Sequence, residues 1–536
     1  MRPVPSIGED ASSLGEEALY SVVQLRAIEQ AAQAGLPPHA LMTRAGAAAA
    51  DFALAILESA AAQDGAQRLP HRWAVLVAAG PGNNGGDAFE CAARLARHGC
   101  AVTVLVPAPN LAPGADHAAA LALLRATDAT LCGMPALEHM GARHWDLAID
   151  GLFGIGLARA PEGDWAVVVD LLNALPAPVL ALDVPSGLDA DTGAVVGDGP
   201  CVRASHTITF IGNKPGLHTC DGRDHTGRVT VAALQIDPTL FGAPVARLSS
   251  CRIFASACLP RGHNVHKGSF GDVQIIGGAP GMTGAAVLAG HAALKMGCGR
   301  VLLGFADAAQ APTLIAGLPE LMCRDAATLE PSRAVQVVGP GLGTGDNAAS
   351  LVAAACASDA PLVLDADGLN LVAATPALQA LLMARAARTA PTLLTPHPLE
   401  AARLLGIGAA QVQADRLGCA QRLSHLFGAT VILKGSGSVI VHAGHCWINP
   451  NGNAALATGG TGDVLAGICG ALLAQGWRLP LAAIGAVWIH GAAADRLVAW
   501  GIGPIGATAT EIIDAARAVF NDLAAGRPQV MPDGRQ

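Results

Sequence analysis

The chain has 536 residues, more than one hydrophobic core ordinarily organises, so two or three domains are expected, and its formal charge of −9 argues against a general nucleic-acid binder. Met1 to Asp10 carries prolines and acids in place of an apolar leader, and no run of about eighteen apolar residues escapes a charge, Gly or Pro, so neither a signal peptide nor a membrane span is expected. Thirteen scattered cysteines form no Cys-x-x-Cys pair, which disfavours zinc and a disulfide framework and fits a reduced cytoplasm.

Residues 22–35 and 38–60 read as helices, the second alanine-rich with Leu41, Met42, Phe52 and Leu57 as core contacts. A buried strand over 73–78 runs into Gly80–Asp87, followed by a helix over 88–98 and a strand over 101–106. That is a βαβ unit whose loop lies where doubly wound sheets bind ligands. Further strands fall at 147–150, 179–183 and 207–210, and the first two end in Asp150 and Asp183, whose carboxylates point into one crevice. Pro238, Pro244 and Pro260 then interrupt the patterning and predict a linker over 241–262, between domains over 15–240 and 263–525. The alternation restarts with strands at 273–276, 300–304, 335–338, 362–365, 392–395, 431–433 and 439–442. Helices are expected between them at 284–297, 346–358, 398–406, 410–427, 463–476, 481–501 and 508–525.

Two loops carry chemistry. In Gly80–Asp87, the amides of Asn83 and Asn84 occupy the turn, unlike a G-x-G-x-x-G fingerprint, and can donate to phosphate or offer oxygens to a cation. Asp150 and Ser186 add oxygens, and an all-oxygen set suits a hard monovalent or divalent ion. In the second half, Gly459-Gly460-Thr461-Gly462-Asp463 opens an apolar helix. A bound phosphate would repel a carboxylate at such an anion-favouring terminus. Its presence points to phosphoryl chemistry, with Asp463 orienting or deprotonating a hydroxyl while amides hold the phosphoryl oxygens. The plain alternative is a glycine turn with Asp463 charging the first helical turn. Only four of 33 basic residues are lysines, and Lys214, Lys267 and Lys434 lie in Gly-rich loops, while Lys295 reads as a solvated helix position.

The strings GPGNNGGD, DGLFGIGL and LDVPSGLDADTG, with LMTRAG, resemble the YjeF-type N-terminal domain, the NAD(P)H-hydrate epimerase. HKGSFGDVQIIGGAPGMTGAA, VGPGLG, TPHPLE, LKGSGS and NGNAALATGGTGDVLAG resemble the ribokinase-like ADP-dependent NAD(P)H-hydrate dehydratase. The resemblance implies an α/β chain of two domains, an N-terminal Rossmann-like three-layer α/β/α domain and a C-terminal ribokinase-like domain. It implies that Asn83, Asn84, Gly85, Gly86, Asp87, Gly154, Ile155, Gly156, Leu157, Ala158, Arg159, Ala160 and Asp183 contact the hydrated dinucleotide, with Asp183 as acid/base. Asn84, Asp150 and Ser186 would bind K+. In the second domain Ala285, Gly343, His397 and Asp463 would hold the hydrate. Lys434, Gly435, Ser436, Gly437, Ser438 and Gly462 would contact ADP, with Mg2+ accompanying the nucleotide. A homo-oligomer acting on small molecules, with no nucleic-acid or membrane partner, is implied. Ala88 departs from the pattern, where the family usually continues with glycine, and its methyl group is expected to narrow the epimerase pocket or to shift the helix start slightly. A vitamin or sugar kinase with an accessory domain shares Gly460–Asp463 but leaves the Asn/Asp/Ser set unexplained.

Overall fold

A computed structural model describes residues 17–63, 73–107, 114–307, 309 and 311–527. Met1 to Asp10, where no leader is expected, lies outside the described residues. The chain divides into two compact units between Arg247 and Leu248.

The first unit holds β1 (Ala18–Leu19), β2 (Ala74–Ala79), β3 (Ala101–Leu105), β4 (Thr130–Cys132), β5 (Leu147–Gly151), β6 (Val179–Leu182), β7 (His206–Phe210), β8 (Arg228–Ala232) and β9 (Ala246–Leu248). Seven of these form an all-parallel sheet in the order β4-β3-β2-β5-β6-β7-β8. The two-residue β1 pairs antiparallel with β9. The chain turns to opposite sides of the sheet after β2 and β5, so their C-terminal ends flank the topological switch point, where such sheets bind ligands.

The second unit adds β10 (Asp272–Gly277), β11 (Arg300–Phe305), β12 (Met322–Asp325), β13 (Val335–Val338), β14 (Leu362–Leu364), β15 (Thr392–Leu394), β16 (Thr430–Leu433), β17 (Val439–His442) and β18 (His445–Ile448). Their order is β18-β17-β16-β15-β14-β13-β10-β11-β12, parallel throughout except that β17 runs antiparallel to both its neighbours. Here the switch point lies between β10 and β13. The helix Thr461–Ala474 lies hard against Thr283–Lys295, because a Cβ on Gly467 would stand 2.1 Å from the Ala289 carbonyl oxygen.

Three features differ from expectation. The stretch 241–262 is not simply a linker, since it contains the short helix Cys251–Phe254 and Phe254 is a fully buried part of the second core. The edge strands β4, β8 and β12 escape the apolar-run rule because they are half exposed and partly polar. Two helices, Ala40–Ala62 and Leu479–Ala499, are long and apolar enough to cross a membrane by length and composition; half of the first window and 83 % of the second are buried within the protein.

Candidate active sites

In the first unit, glycines bring strand, turn and helix into backbone contact. A Cβ on Gly80 would stand 1.7 Å from the Leu152 carbonyl oxygen, and one on Gly85 1.8 Å from the Gly80 oxygen. This close approach lets the helix begin at Asn83, with Gly82 as an N-cap that offers no side chain. Asn83 to Asp87, expected in a loop before a helix at 88, therefore occupy the first helical turns, where N–H groups are free.

A cavity of about 600 Å³ opens at this end, with Asn83, Asn84, Asp87, Asp183 and the segment 154–157 in its walls. Asp183 has a left-handed φ of 68°, which costs energy in a non-glycine residue and persists only where the surroundings enforce it. The enforcement is dense: Lys214 Nζ lies 2.8 Å from Oδ1, Ile155 N–H donates to Oδ2 at 3.2 Å, and Phe210 N–H donates to Oδ1 at 3.4 Å. Lys214 is 1 % exposed and also donates to Thr209 Oγ1 and the Phe210 carbonyl. Asp87, in the same wall, has the opposite environment. Burial, then Asp183, Glu29 and Glu90, push its carboxyl well above the usual range. Asp87 and Asp183 thus face one cavity in unlike surroundings.

Asp150 is fully buried and accepts from Ser186 N–H at 2.8 Å, Ser186 Oγ at 2.7 Å and Leu152 N–H at 3.2 Å. Burial still pushes it up to about 6. Both side-chain polar atoms of Asn84 are buried without a hydrogen-bond partner. A buried amide oxygen left unpaired calls for an explanation. Together with the Asp150 and Ser186 oxygens, it makes an all-oxygen donor set of the kind that fits a hard cation.

The remaining expectations sort differently. Gly85 and Gly86 back the wall, and a Cβ on Gly86 would meet Met42 Cε at 2.5 Å. Ala158, Arg159 and Ala160 are not among the cavity walls, and Ala160 packs on Gly199 instead. Ala88 does not narrow the pocket. Its buried methyl packs against Gly151, where a Cβ would meet it at 2.4 Å, and Ala88 is not among the cavity walls.

In the second unit, Gly460 takes φ 92° at the start of Thr461–Ala474, and a Cβ there would stand 2.5 Å from Leu288 Cδ1. Asp463 falls in the first turn. Burial raises its carboxyl to about 6, with Asp365 and Asp367 adding and Lys434 opposing. Lys434 follows β16 and places Nζ 2.7 Å from Asp365 Oδ1 and 3.9 Å from Glu400 Oε2. Because a Cβ on Gly462 would lie 3.4 Å from that Nζ, an ammonium and a helix N-terminus converge on one place, an arrangement that favours an anion. Burial works against the lysine's charge, but Asp365 and Glu400 outweigh it and hold its pKa up. Burial and Asp365 raise Glu400 to about 7 against Lys434.

His397 caps Pro398–Leu405, with Nδ1 accepting from Leu399 N–H at 3.1 Å and Glu400 N–H at 3.3 Å. Its proton is therefore on Nε2. Burial and Lys434 lower its pKa, so it is a neutral donor at the strand end. Arg416, 1 % exposed, supports the 434–438 loop by donating to the Leu433 and Lys434 carbonyls at 3.3 Å, and Ser438 Oγ donates to the Gly435 carbonyl at 3.1 Å. In the loop after β13, Gly343 N–H donates to Asp367 Oδ2 at 2.9 Å, and Ala285, in the helix after β10, faces the same loop from across the switch point.

Sequence reasoning missed Lys214, Asp365, Asp367 and Glu400 as site residues. The strand-ending aspartate that singled out Asp150 and Asp183 was also there at Asp365.

A family model described as NAD(P)H-hydrate dehydratase matches residues 273–517, and one described as YjeF-related protein N-terminus matches residues 38–216. The bifunctional NAD(P)H-hydrate repair enzyme Nnr of Coxiella burnetii is 35 % identical over 94 % of this chain and 99 % of its own length. The chain belongs to the bifunctional NAD(P)H-hydrate repair enzyme family. The Escherichia coli member is 37 % identical over 91 % of this chain and 90 % of its own. An ADP-dependent (S)-NAD(P)H-hydrate dehydratase of Neisseria meningitidis is 44 % identical over 49 % of this chain and 89 % of its own, the half that contains Asp463. In this repair family the fold is α/β with a Rossmann-like first part and a ribokinase-like second part, in agreement with the two parallel sheets.

Proposed function

We propose that this chain repairs hydrated NADH and NADPH: the first unit interconverts the R and S hydrates, and the second uses ADP to dehydrate the S form, releasing AMP and phosphate. The observation that carries the reading is the convergence of Asp463, Lys434 Nζ and the Thr461–Ala474 N-terminus. Hydroxide leaves badly and phosphate leaves well. Asp463 takes the proton of the C6 hydroxyl as its oxygen attacks the β-phosphorus and the bond to AMP breaks. Lys434 and the first-turn amides carry the charge on the transferring group. Loss of phosphate from C6 and of a proton from C5 restores the ring double bond. His397, Ala285 and Gly343 border the hydrate, and Gly435 to Ser438 border the nucleotide.

In the first unit Asp183, anchored by Lys214, exchanges protons around the C6 hydroxyl. Asn84, Asp150 and Ser186 would hold a potassium ion, whose charge offsets the buried carboxylate. Magnesium would accompany the nucleotide, held mainly by its phosphates and water. Incubation with S hydrate and ADP, following the reduced-nicotinamide absorbance, is expected to return one NADH per AMP. Phosphorylation of a small alcohol with no NADH recovered would overturn the reading.

A further inference from the structure

We infer that Asp365-Ala366-Asp367 is a splint between the two subsites of the dehydratase, with Asp365 positioning Lys434 for the nucleotide and Asp367 positioning the Gly343 loop for the hydrate. The inference rests on the dehydratase reading above and assigns two positioning residues to it. β14 is flanked by β13 on one side and β15, then β16, on the other. The segment that follows β14 reaches both ways. Asp365 Oδ1 accepts from Thr395 Oγ1 at 2.8 Å, just past β15, and from Lys434 Nζ at 2.7 Å, just past β16. Asp367 Oδ2 accepts from Gly343 N–H at 2.9 Å, in the loop after β13.

The residue between them makes this divergence possible. Ala366 has φ 48°, a left-handed conformation that an L-residue adopts at a cost. At this value the chain turns abruptly out of the strand, and the carboxylates on either side reach loops on opposite flanks of β14. A continued extended strand would not send them to those two loops, so the strained residue is part of the device. Asp365 is 1 % exposed, which leaves it no surface for a ligand and makes it a residue that acts through Lys434. A long lysine side chain held in place before the nucleotide arrives has less rotamer freedom to lose on binding.

The test uses the full chain and begins with the wild type, because absence of ADP-dependent NADH return there would remove the dehydratase reading itself. With that activity in hand, Asp365→Asn is expected to raise KM for ADP roughly tenfold to a hundredfold and leave KM for the hydrate within about twofold. Asp367→Asn should do the reverse. In a Lys434→Met background, Asp365→Asn should add less than about twofold, since the interaction it removes is already gone. Thermal melts and circular dichroism of each variant, against the wild type, report the integrity of the second unit. Thr395→Val, close to isosteric, loosens Asp365 more gently and should raise only KM for ADP, about threefold; it decides the matter if Asp365→Asn does not fold. The inference is overturned if either aspartate variant raises both KM values alike, if Asp365→Asn costs as much without Lys434 as with it, or if Thr395→Val leaves KM for ADP unchanged.

Discussion

Replacing Asp463 by asparagine should make the second unit more stable and nearly inactive at the same time. In the native protein the Asp463 carboxyl is raised from 3.8 to about 6. At about 1.36 kcal/mol per pKa unit, the ionised form costs the fold up to about 3 kcal/mol, reduced to about 1–2 kcal/mol by its partial exposure. The sign follows from proton binding. Between about pH 4 and 6 the native state holds this proton more tightly than the unfolded chain, so stability falls as pH rises through that window. Above it the whole penalty is present, and below it none is. The asparagine amide never carries the charge. Asp463→Asn should therefore raise the thermal midpoint by roughly 3–6 °C at pH 8 and by almost nothing at pH 4. Loss of the base should lower kcat for NADH return by about 10²–10⁴. KM for ADP should not rise, because a carboxylate facing a phosphate has been removed. Calorimetry at the two pH values and absorbance assays at pH 8 measure both effects. Retention of kcat within tenfold, or a variant less stable at pH 8 than the wild type, would refute the reasoning.

Lys214→Met breaks a buried ion pair and leaves the Asp183 carboxylate to two backbone N–H groups. It should cost the first unit about 3–5 kcal/mol and most of its epimerisation, measured by denaturant melts and by hydrate isomer ratios, while ADP-driven dehydration persists. The stabilisation of the first unit by K+ should grow as pH rises through about 6, where Asp150 loses its proton. It should disappear in Asp150→Asn, as read from melting curves with KCl against a bulky-cation chloride. Gly85→Ala places a methyl on the Gly80 backbone oxygen, at a cost of about 3 kcal/mol or more, so epimerisation should vanish without loss of dehydration.

The sequence carried the fold class and pointed to many of the residues that the structure gathers at the strand ends, for identifiable reasons. Central parallel strands are buried on both faces, so runs such as Ala74–Ala79 and Val431–Leu433 stand out as continuous apolar segments. Edge strands such as Met322–Asp325 lack that pattern, because one side meets solvent. Glycine-rich loops marked where backbones approach. They could not show that the helix starts at Asn83, which depends on contact between Gly85 and a backbone oxygen five residues earlier. Lys214 was visible only as a rare lysine, since its partner Asp183 lies 31 positions away and nothing local signals the pairing. The position of Ala88 shows the same limit, because the space for its methyl group on the helix is made by Gly151 at the end of β5.

The account depends most on one bond: the C6 hydroxyl oxygen must become part of the departing phosphate. A single turnover with S hydrate labelled with heavy oxygen at that hydroxyl, in the presence of ADP, tests this by mass analysis of the products. The mechanism built on Asp463 and Lys434 predicts the label in inorganic phosphate, with unlabelled AMP. Label released as water, with ADP cleaved independently, would contradict it.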